Sequence, residues 1–156
     1  MNTPLEGNFH RLLRWLLGLV LVWAALGKLA DLQEFYGALL AYRLPLPGGL
    51  LRGSAIVMPW LELLSGLLLL WGRRHPGALA WGLLLFAVFA LGTGQAWLRG
   101  LDISCGCLDL RLAGVAPGSA AAGWLESARF ACLRAVALTA IALHLLRRER
   151  AAWAAA

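Results

Sequence analysis

Charge is scarce in this chain. Asp, Glu, Lys and Arg make up 14% of its 156 residues, and the acids number only 8 against 14 Lys and Arg. A soluble domain carries about 25% charged residues, so too little polar surface is available to solvate a water-soluble fold of this length. Cysteine is also sparse. Cys105 and Cys107 stand two apart and Cys132 stands alone, which excludes the disulfide framework of a small secreted domain. No Gly-rich phosphate loop, HExxH motif or Ser/His/Asp pattern is present, which removes the common signatures of nucleotide binding, zinc hydrolysis and acyl transfer. The net charge of +6 comes without a basic stripe interleaved with aromatics, so a nucleic-acid partner is not expected.

What the chain has in excess is apolar mass, 61% of the residues, gathered in four stretches at about 12–30, 53–72, 77–98 and 128–146. Each approaches the roughly 20 residues that a spanning helix needs. Trp15, Trp71, Trp97, Trp124 and Trp153 fall near their ends, where aromatic belts form. The first stretch follows Arg11 and Arg14 as a secretory signal would, but three more apolar stretches follow at once, so it is read as a helix and not as a cleaved leader. The expected fold is all-α: an integral membrane four-helix bundle in the lipid bilayer, one transmembrane domain over residues 1–156.

Between the first two stretches, Leu32, Phe35, Leu39 and Tyr42 recur at helical spacing. They predict a short amphipathic helix at the interface, broken by Leu44-Pro45-Leu46-Pro47-Gly48-Gly49. Arg73-Arg74-His75-Pro76 makes a short turn between the second and third stretches. The longest non-helical segment, about 99–123, carries the close cysteines. The bare positive-inside count is a tie at seven basic residues a side. The seven in the N-terminal arm, the Arg73 turn and the tail cluster at helix ends with only Glu6 and Glu149 nearby, while the other seven are spread among six acids. Clustered charge orients helices, so both termini are expected in the cytoplasm and the cysteine loop outside.

Cys105-Gly106-Cys107 is the sharpest chemical signal. A disulfide needs its Cα atoms roughly 4.4–6.8 Å apart, and residues two apart on an extended chain lie at ~6.6 Å. Glycine between them permits a tighter turn. The bond can close under strain, and strained disulfides are the labile, oxidising ones. A purely structural bond would close almost no loop and stabilise little. Two thiolates also suit a soft metal such as Cu(I), so a soft-metal or small-solute transporter using these cysteines and Glu62 is one alternative, and a non-catalytic maturation scaffold is another.

Glu62 is the second signal. An acid in the middle of an apolar stretch must face the bundle interior, and Ala55, Pro59, Glu62 and Gly66 share one face with small residues that admit another helix. Gly18, Ala25 and Lys28 share a face in the first stretch. Lys28 is the leading partner for Glu62 and Arg134 the second candidate, as a structural ion pair or a proton relay. Cys132 reads as a small buried hydrophobe. His10 and His75 read as headgroup-facing, His144 as a capping group.

These residues, Gly27-Lys28-Leu29-Ala30-Asp31, Tyr42-Arg43-Leu44-Pro45, Pro59-Trp60-Leu61-Glu62-Leu63, Gly66, Arg99-Gly100-Leu101 and Cys105-Gly106-Cys107, stand in an order and spacing that resemble the family of the methylamine-utilisation membrane protein MauE, within the wider DoxX-like group. The likeness runs from about residue 12 to 146. It implies a four-helix bacterial inner-membrane protein that handles disulfides in the periplasm, beside a thioredoxin-like partner, during maturation of a disulfide-rich client enzyme. A quinone is the natural electron carrier, by analogy with other four-helix thiol oxidoreductases. Two features depart from the family pattern: Leu108-Asp109 follows the cysteines in place of Phe-Gly, and either Arg129 or Arg134 can be the family's arginine after Trp124. The combined reading is a membrane thiol–disulfide oxidoreductase or its accessory subunit. Cys105 and Cys107 exchange, and Lys28, Arg43, Glu62, Arg99 and Arg134 shape the site, the arginines lowering a thiol pKa where they are close.

Overall fold

The computed structural model describes residues 4–71, 76–101 and 127–154. Within them lie five helices: α1 (Pro4–Ala30), α2 (Leu32–Ala41), α3 (Gly48–Leu70), α4 (Pro76–Leu98) and α5 (Ala128–Ala154). Four are long and apolar enough to cross a membrane, over Asn8–Ala30, Gly48–Leu70, Gly77–Leu98 and Ala128–Ala151. A span of 23 residues rises about 34 Å at 1.5 Å per residue, enough for a hydrocarbon core of about 30 Å. The chain is a multi-pass membrane protein with four spans and a short helix between the first two.

The helices run longer than the apolar stretches. α1 begins at Pro4 rather than near residue 12, because proline suits a first helical turn and nothing after it breaks the helix. α5 runs on past residue 146 through an Arg- and Ala-rich tail of strong helix formers. α3 begins five residues before the expected 53. Pro47 serves as its N-cap, with φ −58° and ψ 139°, and Gly48 and Gly49 are taken into the first turn. Asp31 separates α1 from α2 by leaving helical geometry, and its carboxylate caps α2 by accepting from the Glu34 N–H at 2.8 Å. α2 buries Phe35, with Tyr42 buried just beyond its end, but Leu32 is exposed, so the inward face is shorter than its spacing predicted.

Lipid tails are as apolar as leucine, so close packing must hold the spans together. α1 packs chiefly along α3, and α4 chiefly along α5. In the first pair the backbones nearly touch at Gly18 and Gly66. A Cβ built on Gly66 would stand 2.9 Å from the Gly18 carbonyl oxygen, and one on Gly18 would stand 3.0 Å from that of Gly66. No larger side chain fits there. Between the pairs, Leu17, Leu21, Leu69, Leu79, Phe86 and Leu145 make the common core. Leu19, Trp23, Trp60 and Leu91 stay exposed on the outside, as a lipid-facing surface should.

Candidate functional site

The α1–α3 crossing sets up the first element of the site. Lys28 lies in the last turn of α1 and Glu62 in mid-α3, one turn beyond the buried Pro59. The Lys28 ammonium donates to both Glu62 oxygens at 2.6 Å. The two residues are only 4% and 6% exposed. The ammonium also stands over the Phe35 ring at 5.2 Å and the Phe89 ring at 5.9 Å from their centroids, and such faces attract a cation. Lys28 is therefore the partner of Glu62, as the shared helix faces predicted. The pair is closed: both carboxylate oxygens accept from one cation.

The α4–α5 pair supplies the second element. A half-open cavity of about 40 Å³ lies at the seam between the two helix pairs, lined by Val20, Ala24 and Lys28 of α1, Glu62 of α3, Phe86 and Phe89 of α4, and Ala131, Arg134 and Leu138 of α5. Arg134 thus joins Lys28 and Glu62, though Lys28 alone holds the carboxylate. Its Nη2 is buried with no hydrogen-bond partner among the described residues. Arg129 is exposed, so of the two arginines Arg134 is the one that turns into the bundle.

Arg43 and Arg99 are placed elsewhere, at the neighbouring helix ends. Arg99 donates through Nη1 to the carbonyls of Tyr42 at 3.4 Å and Arg43 at 3.2 Å, and to Gln95 Oε1 at 3.0 Å. Gln95 Nε2 adds a 3.0 Å bond to the Tyr42 carbonyl. The turn they hold has Arg43 at φ 48°, a left-handed conformation that a non-glycine residue adopts only when fixed by its surroundings. It is the Arg43 carbonyl that is held, while its side chain is exposed. Tyr42 and Gln95 escaped the sequence reading of the site. A glutamine near the end of an apolar span was the available signal for Gln95. Burial pushes the Tyr42 phenol up to about 12, so it stays a neutral phenol at ordinary pH.

The same end of the bundle carries the α4 cap. Gly100 adopts φ 64°, its N–H reaches the Trp97 carbonyl at 3.0 Å, and the Leu101 N–H reaches the Ala96 carbonyl at 3.0 Å. This is a Schellman termination, which favours glycine. Leu101 then packs against a cluster of Tyr42, Ala96 and Ala128, as the motif's apolar contact requires. The Arg99-Gly100-Leu101 sequence is thus a stop signal that ties α4 to the α2–α3 turn. Cys105, Cys107 and the Arg73–His75 turn lie outside the described residues.

At the opposite end, His10 and His144 stack at 5.8 Å with ring planes 12° apart, and Arg14 pairs with Glu149 at 3.1 Å. His10 is therefore engaged with α5 and is not simply headgroup-facing, and His144 stacks rather than caps. Cys132 is a half-buried free thiol, 4.0 Å from the Ala90 carbonyl oxygen, consistent with a packing role. Among the described residues no group of three or more His, Cys, Asp or Glu is arranged to hold a metal ion.

The family model for the methylamine utilisation protein MauE matches residues 7–148. The chain is similar to the methylamine utilization protein MauE of Paracoccus versutus, 37% identical over 139 residues, covering 88% of this chain and 71% of the relative. It is also similar to that of Methylophilus methylotrophus, 35% identical over 109 residues. That match covers 69% of this chain and spans about half, 55%, of the Methylophilus protein. No solved structure matches.

Proposed function

The chain belongs to the family of the methylamine utilisation protein MauE, and from that premise we propose that it is a membrane thiol–disulfide oxidoreductase, or the accessory subunit of one, acting in methylamine utilisation. Cys105 and Cys107 are the exchanging pair. A thioredoxin-like periplasmic protein is the partner and a disulfide-rich enzyme the client. The bundle sits in the bacterial inner membrane with both termini in the cytoplasm and the cysteines on the periplasmic side.

The observation that carries this reading is the end of the bundle from which the cysteines leave. Four residues of chain reach at most about 14 Å, which tethers Cys105 to the fixed Leu101. The helix end there is closed by the Gly100 cap and stapled by Arg99 and Gln95 to the Tyr42–Arg43 turn. The segment that leads on to Cys105 therefore starts from a rigid platform at one end of the bundle.

In the proposed step, a thiolate of the partner attacks one sulfur of the Cys105–Cys107 disulfide and forms a mixed disulfide. The second partner thiolate resolves it, leaving the partner oxidised and Cys105 and Cys107 as thiols. Return to the disulfide gives up two electrons and two protons to a membrane quinone, which leaves as quinol. The direction reverses if the client must be reduced.

The test is trapping in cells. Cys105→Ser or Cys107→Ser leaves a single thiol, which by the reverse of this exchange attacks the oxidised partner and has no neighbouring thiol to release it, and one of the two variants should accumulate a covalent adduct with a thioredoxin-like protein. Client disulfides should fail to form in the double variant. Normal client maturation in the double variant would end the redox reading and favour a scaffold. Stoichiometric Cu(I) without any adduct would favour the metal-site alternative. An impermeant maleimide applied to spheroplasts after mild reduction should label Cys105 or Cys107, and protection of both would overturn the topology.

A further inference from the structure

The seam cavity holds more donor capacity than the protein satisfies. Lys28 is spent on Glu62, whose two oxygens both accept from it. Arg134 reaches the same cavity with Nη2 buried and unpartnered among the described residues. Lys28, Glu62 and Arg134 sum to one uncompensated positive charge in a water-poor interior, where an unmet polar group is costly. A guanidinium offers only donors, so what meets Arg134 must bring an acceptor. The rest of the lining is apolar and aromatic, Phe86, Phe89, Ala131 and Leu138 among it, so the body of the molecule must be apolar. About 40 Å³ exceeds the roughly 10–15 Å³ that one water needs and receives the tip of a molecule, its remainder lying along the half-open side.

We propose that this cavity binds the oxygen-bearing head of a membrane-soluble molecule, with Arg134 Nη2 donating to its oxygen and the apolar body passing between Phe86, Phe89 and Leu138. A quinone carbonyl and a fatty-acid carboxylate share this chemistry. The quinone source rests on the redox reading above. The site itself does not, since neither Cys105 nor Cys107 takes part. The Lys28–Glu62 pair forms one wall and holds its own charges, leaving Arg134 as the recognising group.

The test titrates the full chain, in lipid nanodiscs, with a decyl-substituted benzoquinone and separately with oleate, following the rise in melting temperature. At least one probe should give a saturable rise. Arg134→Met should weaken it about tenfold or more, the scale of one hydrogen bond to a charged group. Arg134→Lys should restore part of the binding. Ala24→Leu, which narrows the cavity while leaving all charges in place, should weaken binding even if Arg134→Met fails to fold. Saturation by the quinone alone identifies a quinone site, and saturation by oleate alone a lipid-acid site. No saturation with either probe, or unchanged binding in both Arg134→Met and Ala24→Leu, overturns the proposal. The Cys105→Ser/Cys107→Ser double variant should bind as the parent does. Binding that persists while the trapping experiment fails removes the redox reading and keeps the site, and the converse removes the site and keeps the redox reading.

Discussion

Among the described residues two ion pairs join helices, and they are built differently. Lys28–Glu62 joins α1 to α3 through two bonds of 2.6 Å, with side chains 3% and 7% exposed and two phenyl rings around the ammonium. Arg14–Glu149 joins α1 to α5 through a single 3.1 Å contact, with side chains 10% and 12% exposed. The first joins the two helices whose backbones nearly touch at Gly18 and Gly66. The second lies toward the other end of α1, where the apolar span gives way to the Arg-rich tail of α5. A buried charge whose partner is removed has no water to turn to, while one near a helix end can recruit water or a headgroup. Two ion pairs in one protein should therefore contribute very differently.

The largest effect is expected at the inner pair. Glu62→Gln leaves the Lys28 ammonium bare and should cost about 3–5 kcal/mol, read as a fall in melting temperature in detergent. Adding Lys28→Met should recover part of that loss. Additive losses would mean that the two residues do not act as a pair. Next in size, Gly66→Leu forces a side chain against the Gly18 carbonyl and Val22, both within 3.0 Å of a Cβ there. Overpacking of this kind costs about 1–3 kcal/mol. It should part α1 from α3 and weaken the Lys28–Glu62 coupling in a double-mutant cycle, with no change in the Arg14–Glu149 coupling. Gly37→Ala, where a Cβ meets nothing within 4 Å, should cost nothing and raise stability slightly, since alanine is the better helix former. A loss at position 37 equal to that at 66 would show that the close approach at Gly66 is not what makes its replacement costly. The smallest effect is expected for Glu149→Gln: this pair is also largely buried, but it makes one contact rather than two and lies near the span ends, where water or a headgroup can replace the lost partner, so its loss should stay below that of Glu62→Gln. A loss as large as that of Glu62→Gln would erase the distinction between the two pairs.

Much of the inner site was legible before any coordinates. Glu62 announced itself because a carboxylate in the middle of an apolar stretch has nowhere to go but inward. Lys28 followed from sharing a face with Gly18 and Ala25, and Gly18 and Gly66 did prove to mark the close crossing. The arginines were harder. Arg43 and Arg99 enter the site reading through the motifs that carry the family resemblance, and Arg99 donates to the Tyr42 and Arg43 carbonyls. A long side chain beside a turn has several acceptors within reach, and spacing does not rank them. The His10–His144 stack brings together residues far apart in the chain, and no local pattern marks either as the other's neighbour.

By itself the sequence determined the architecture. Each apolar run of about 20 residues must satisfy its backbone polar groups internally, which makes it a spanning helix, and the polar residues inside those runs had to turn toward one another. Only the tertiary structure decided which of them meet. Lys28 rather than Arg134 takes Glu62, and Arg134 rather than Arg129 enters the seam. The reason is geometric: a one-dimensional pattern says which side chains cannot face lipid, but the reach of each cation across the bundle depends on how closely the helix backbones approach and at what height they cross.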